Sequence, residues 1–270
     1  MQTLNKQAQA QPAGSKRAGC YIYAIIESAQ DLELGPCGID GGLVYALHSD
    51  GLAAVVSDMS RADRLRPERR RLAAHHDVLK QLMDRFTILP MQFGIVADNV
   101  GAVRKILAAN RDALADQLKR LAGKVEMGLR VLWDVPNIFE YFVNTHADLR
   151  LVRDQLFRGG RDPSQEDKIE LGRIFDHLLG DERRQQTERV MKALKKCCFA
   201  FKENKLRQER EVMNLACLVG RDELKSFEQG VFEAANLFDN HYAFDFNGPW
   251  TPHNFVEVDL QESVSSRQEQ

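Results

Sequence analysis

"KVEMGLRVLWD" (124–134) alternates without a slip, so that Val125, Met127, Leu129, Val131 and Trp133 share one side of an extended chain. Side chains of a strand point to opposite faces in turn, and an apolar set at period two predicts a strand buried on one side. Gly123, just before it, ends the helical pattern upstream and marks the expected boundary between two domains, with Pro136 as the alternative.

Upstream, "CYIYAII" (20–26) is a short β-branched and aromatic run, and "GLVYALHSDGLAAVVSD" (42–58) reads as two strands joined at Ser49-Asp50-Gly51. Asp-Gly between apolar runs is a hairpin signal. "DLELGPCGIDGG" leaves room for at most a stunted helix. From Pro67 to Phe86, Leu72, His76, Leu79, Met83 and Phe86 recur at helical spacing. "TILPMQFGIVAD" (87–98) reads as a strand whose Pro90 places it at an edge or bulge. A helix carrying Val100, Val103, Leu107, Leu114, Leu118 and Leu121 follows from about Asn99.

Downstream, the pattern predicts a helix from Pro136 to about Arg158, the polar break "GGRDPSQED", and a long charged helix from Ser164 to Lys202. "EVMNLACLV" (211–219) reads as a strand, Asp222 to Asn240 as a helix, and "HYAFDF" (241–246) and "NFVEVDL" (254–260) as two closing strands. The order β–stub–β–β–α–β–α and then β–α–α–β–α–β–β predicts the α+β class with antiparallel sheets and helices. The expected division is a tail at 1–18, a modified ferredoxin-like domain at 19–122, an α+β domain with long charged helices at 123–260, and a polar tail at 261–270.

Apolar residues at 44% and charged ones at 28% place the chain among soluble globular proteins, and a formal net charge of −2 offers no global attraction to nucleic acid or an anionic membrane. No apolar run reaches the length of a membrane span, and "MQTLNKQAQAQPAGSKRA" lacks the apolar core of a signal peptide. Five cysteines (Cys20, Cys37, Cys197, Cys198 and Cys217) with no Cys-x-x-Cys pair indicate neither a disulfide framework nor a zinc knuckle, and suit a reducing cytoplasm.

The chain has no glycine-rich dinucleotide or phosphate loop and no Gly-x-Ser-x-Gly elbow. His75 and His76 point about 100° apart on a helix and do not chelate one metal; a structural role is the reading for them, with general-base work the minor alternative. Cys197 and Cys198 fail the same test and read as helix-face residues. "RADRLRPERRR" (61–71) sets six arginines against one Asp and one Glu; it suits phosphates, but with no aromatic interleaving a solvated loop is the reading. No catalytic residue, cofactor site or metal site is expected. For "LPMQFG" (89–94) core packing is the first reading, and an edge strand offering Leu89, Met91 and Phe93 to another β-chain is the alternative. "DFNGPWTPHNFVEVDL" (245–260) clusters Gly248, Pro249, Trp250 and Pro252, as either a ligand pocket or a rigid corner.

Taken in order, "YIYAI", "DGLAAVVSD", "HHDVLKQLM", "ILPMQFG", "GKVEMGLRVLWD" and "GPWTPHNFV" resemble the GvpF/GvpL family of gas vesicle proteins over residues 20–258, with the F branch nearer. The family's closing signature looks like Gly-Pro-Trp-Pro-Pro-Tyr; Thr251 and His253 depart from it, which favours a corner with Trp250 buried over a fixed aromatic pocket. The resemblance implies a non-enzymatic accessory or minor component of gas vesicles, located in the vesicle and cytoplasm of a prokaryote. It implies contact with the hydrophobic shell protein GvpA and other accessory proteins, chaperone-like help in shell nucleation, and no nucleic acid or membrane partner. Ferredoxin-like domains also serve as small-ligand or cofactor-binding regulatory modules and enzymes, which is the alternative.

Overall fold

A computed structural model describes residues 18–28, 30–60, 65–158 and 163–257. The expected tails at 1–17 and 261–270, Arg61 and Arg64, the middle of the polar break at 159–162 and residues 258–260 of the last predicted strand lie outside the described residues. The described chain forms two compact units, one ending at Arg120 and also holding Glu257, the other Leu121–Val256. Both are built of antiparallel sheet and helix, the α+β class.

The first unit contains β1 (Ala18–Glu27), β2 (Glu33–Gly35), β3 (Val44–Ser49), β4 (Leu52–Ser60), α1 (Arg69–Met83), β5 (Ile88–Pro90), β6 (Val96–Ala97), α2 (Val100–Ala109) and α3 (Arg111–Leu121). Asp50 and Gly51 take φ of 51° and 83°, the paired positive values that a two-residue hairpin requires, and they join β3 to β4. The sheet order is β2-β3-β4-β1-β5, with β6 also on β1. A strand, a hairpin, and a helix leading back to the free side of the first strand make a split βαβ arrangement of the ferredoxin-like kind. Its first crossover is reduced to the 3-10 turn Ile39–Gly41. Tyr21, Ile22, Tyr23, Ala24, Ile25 and Ile26 are each at most 1% exposed, so β1 is buried on both faces at the centre of the unit.

Three local expectations for this unit are corrected. The buried face of α1 is His75, Val78, Leu79, Leu82 and Met83, whereas His76 is exposed. The helix is rotated because Val78 and Leu82 give the stronger apolar stripe and because His75 finds a polar partner inside. The strand expected over 87–98 is two short pieces, both paired to β1, with residues 91–95 looping between them after Pro90. The helix expected from Asn99 breaks at Asn110, whose side-chain amide donates to the Ile106 carbonyl at 2.9 Å and caps α2.

The second unit contains β7 (Lys124–Trp133), α4 (Ile138–Thr145), α5 (Ala147–Leu156), α6 (Gln165–Leu194), β8 (Ala200–Glu203), β9 (Glu211–Gly220), α7 (Leu224–Ala235) and β10 (Tyr242–Trp250). Its sheet runs β10-β7-β9-β8. Met127, Leu129, Val131 and Trp133 of β7 all enter the core, as their alternation predicts, beside Met213, Leu215, Cys217 and Val219 of β9 and Phe142, Phe175, Val190 and Phe227 of the helices.

Here the corrections have visible causes. The helix expected at 136–158 is two, because His146 turns extended (φ −114°, ψ 107°). The long helix starts at a capping box, with Ser164 Oγ accepting from the Asp167 N–H at 3.2 Å, but stops at Leu194 rather than Lys202. Cys197 and Cys198 therefore lie in the turn beyond the helix, and β8 is an additional strand. Where the expected strand at 254–260 would begin, the described chain forms a 3-10 turn over His253–Phe255.

Candidate functional site

The most polar part of the first unit's interior lies where α1 crosses β1. Tyr21 and His75 share a hydrogen bond of 2.8 Å between the phenol and Nδ1, and the Gly94 N–H donates to the same phenol oxygen at 3.3 Å. Tyr23 shares a 3.0 Å bond with Ser57 Oγ and accepts from the Ile39 N–H at 2.9 Å. The rings of Tyr23 and Phe93 each lie within about 6 Å of the rings of both Tyr21 and His75. Burial raises the pKa of both tyrosines, so they stay neutral phenols. These bonds hold α1, the 3-10 turn, the 91–95 loop and β4 onto β1. His75 is 2% exposed.

The residues proposed for partner binding lie beside this cluster. Leu89 is 0% exposed and Met91 5%, while Phe93 is half-buried against Tyr21 and His75. Pro90 interrupts an outermost strand, as expected of an edge, and β5 pairs with β1 alone among the described strands. Ile88, Leu89, Pro90 and Met91 are buried as whole residues, main chain included, so the half-buried Phe93 and the exposed Gln92 are what this segment offers outward.

Of the arginine cluster, Arg70 and Arg71 donate to the Asp40 carboxylate at 3.0 Å each. These bonds, Arg71's foremost, lower the Asp40 pKa. Burial pushes the Cys197 thiol up to about 12, and a hydrogen bond with Cys217 followed by burial raises that of Cys198; protonated thiols of this kind are poor nucleophiles. No group of three or more His, Cys, Asp or Glu among the described residues is placed to hold a metal ion. An open groove of about 610 Å³ in the second unit is lined by Asn204, Lys205, Leu206, Arg207, Asn214 and Asn254, with no acid and base pair converging on it.

The Gly-Pro-Trp cluster is not a corner between two strands. It is the irregular end of β10, where the pairing with β7 slips between Asn247 and Trp250. The slip sets Trp250 opposite Glu126, on the face of β7 away from the Met127 side, so the expected burial of Trp250 does not occur: it is 52% exposed and donates its indole N–H to Asn247 Oδ1 at 2.7 Å. Gly248, preceding Pro249 across a cis bond, has φ of 130°. Beyond it, Asn254 donates its backbone N–H and side-chain amide to the Glu126 carboxylate at 2.9 and 2.7 Å, which fastens the segment back onto β7.

Glu126 is 8% exposed, and burial raises its pKa above the ordinary carboxylate value, the bonds from Asn254 opposing in part. A carboxylate whose folded pKa is raised holds more protons folded than unfolded, so stability from this group falls as pH rises through the window above its unfolded value. Gln in its place keeps the shape without the charge. Relative to the parent, Glu126→Gln is expected to gain stability as pH rises from about 4 to 7, read from urea midpoints. A variant that loses ground over that range would show that the Asn254 bonds outweigh burial.

Comparison with known proteins places these features. The model of the family described as gas vesicle synthesis protein GvpL/GvpF matches residues 19–257. The chain is 26% identical to gas vesicle protein F of Nostoc over 244 residues, covering 89% of this chain and 99% of that protein. It is 24% identical to gas vesicle protein L1 of Halobacterium salinarum over 261 residues, covering 88% and 90%. Among solved structures, the crystal structure of GvpF from Anabaena superposes with a TM-score of 0.77 at 27% identity, covering 90% of this chain and 99% of that one. With the family's model matched over nearly the whole described chain, this protein belongs to the GvpL/GvpF family of gas vesicle synthesis proteins.

Proposed function

We propose that the chain is a non-enzymatic assembly factor of gas vesicles that binds the hydrophobic shell protein GvpA, limits its aggregation and assists shell nucleation, in the cytoplasm and at the vesicle. The end-to-end family match carries this reading. Two features of the fold support it: the buried tyrosine and histidine groups are occupied in holding the fold, and the first sheet ends in an edge strand that pairs on one side only. An extended segment adds to such an edge through main-chain bonds, with alternate side chains giving selectivity. Ile88 to Met91 are buried whole, so at Leu89–Phe93 the contact is made through the exposed Gln92 and the half-buried Phe93.

Co-expression with tagged GvpA tests the reading. The chain should co-purify with GvpA and raise its soluble fraction several-fold, and Gln92→Lys, an edge-blocking charge at an exposed position, should reduce both. GvpA that stays insoluble and unbound would overturn the assembly role. Full activity of the Gln92 variant would move the contact away from β5.

A further inference from the structure

Four strands end the two sheets, and three of them are short: β2 and β5 have three residues and β8 four. The fourth, β10, has nine, pairs with β7 alone among the described strands, and alternates half-buried with exposed residues over Tyr242 to Asn247. A long uncovered edge is a template for another strand. Its main-chain groups can be assigned. The Asp134 N–H donates to the His241 carbonyl at 2.6 Å, and these two are directly opposed in the register that sets Tyr242 against Trp133. Hydrogen-bonded pairs alternate along an antiparallel ladder, so His241, Ala243, Asp245 and Asn247 face β7, and Phe244, Phe246 and the Tyr242 carbonyl turn theirs outward, the Tyr242 N–H bending back to the Asp239 carbonyl at 3.4 Å.

The same three residues form an aromatic row on the helix side. Phe238 of the turn after α7 lies 4.9 Å from Tyr242 and 5.2 Å from Phe244, and Phe232 of α7 lies 6.5 Å from Phe246 while remaining 55% exposed. The other side of the strand carries Ala243, Asp245 and Asn247, with Asp245 ion-paired to Arg130 of β7. An apolar row next to outward main-chain groups calls for an extended partner with alternating apolar side chains, and β10 is itself such a segment.

We infer that β10 pairs with β10 of a second copy of this chain, antiparallel about a two-fold axis at Phe244, joining two four-stranded sheets into one. The register follows from charge. Centred on Phe244, the Tyr242 carbonyl meets the Phe246 N–H of the second copy, Phe244 meets its own mate, and Asp245 faces Ala243. Centred on Asp245, the outward groups also meet, but two carboxylates oppose each other in the closer, non-hydrogen-bonded pair, which disfavours it. Registers centred further on run into the irregularity at Asn247–Trp250 and Pro249, which has no N–H. Those centred earlier leave the strand, which starts at Tyr242.

The contact is small, so the dimer should dissociate in the micromolar to millimolar range, on the order of 10 μM to 1 mM. Sedimentation equilibrium of the full chain at low salt should show a monomer and dimer in exchange. Ala243 is exposed and faces Asp245 twice across the axis, so Ala243→Asp should weaken the dimer and Ala243→Lys tighten it, each by about threefold to thirtyfold. Both variants should keep the parent's circular dichroism. A monomer at all concentrations up to about 1 mM overturns the inference, as does a dimer that ignores both substitutions.

Discussion

Trp133→Ala should cost about 4 kcal/mol or more and lower the urea midpoint of the second unit by about 2 M. Trp133 is 1% exposed at the end of the core-facing row of β7. Its ring meets Phe142 edge-on at 5.5 Å, and the Arg183 guanidinium lies 5.5 Å from its centroid. Arg183 also donates to the main-chain carbonyls of Glu211 and Glu209 at 3.0 and 2.7 Å, so the indole supports the side chain that ties α6 to the start of β9. Truncation therefore opens a cavity of most of an indole, loses the ring pair, and frees an arginine that anchors two elements. Burial alone accounts for about 3 to 5 kcal/mol, and the aromatic pair adds about 1. Trp133→Phe keeps the edge-on contact and should recover more than half of the loss. The sequence holds two tryptophans, so fluorescence of the alanine variant reports Trp250 alone, while circular dichroism follows the unit as a whole. A loss below about 1 kcal/mol would mean that neighbouring side chains close the space.

That residue was legible in advance because the physics that buries it is local. In "KVEMGLRVLWD" an unbroken period of two names the core side without knowledge of the partner strands, and Asp50-Gly51 carries its own backbone geometry. What was not legible depends on neighbours. The periodicity runs through Asn110, since Leu107 and Leu114 stay in phase across two helical turns, and only the amide bond to Ile106 reveals the break. His75 reads as polar, yet it is buried because Tyr21, far away in sequence, supplies a hydrogen bond. Pro90 marks Leu89 and Met91 as an edge that competes with core packing, and burial of the whole residues from Ile88 to Met91 shows that the last strand of a sheet can still lie inside. β8 is four residues following a lysine-rich helix end, too short for any pattern. "HYAFDF" shows its alternation in the sequence, but that β10 pairs with β7 alone among the described strands is visible only in the sheet.

Gly248→Ala should be the more damaging change in the Gly-Pro-Trp cluster, costing about 3 kcal/mol, while Trp250→Ala should cost about 1 or less. At φ of 130° an L-residue is strained by about 1 to 3 kcal/mol before any contact is considered. A Cβ there would lie 2.7 Å from Met127 Sδ and 3.0 Å from the Glu126 carbonyl oxygen. The sulfur can move, but Met127 is 6% exposed in the core; the carbonyl belongs to the backbone of β7, which is paired on both sides. The conflict is therefore resolved by pushing β10 off β7, at a further cost of about 1 to 3 kcal/mol typical of overpacking. Trp250 has no comparable hold: it is half exposed and makes one side-chain hydrogen bond, to Asn247. Thermal melts of the two variants settle which residue the fold demands. If Trp250→Ala proves the costlier, the indole has a packing role that its exposure hides. If the order is as expected, the glycine holds the irregular strand end together and the tryptophan is free to be a surface feature.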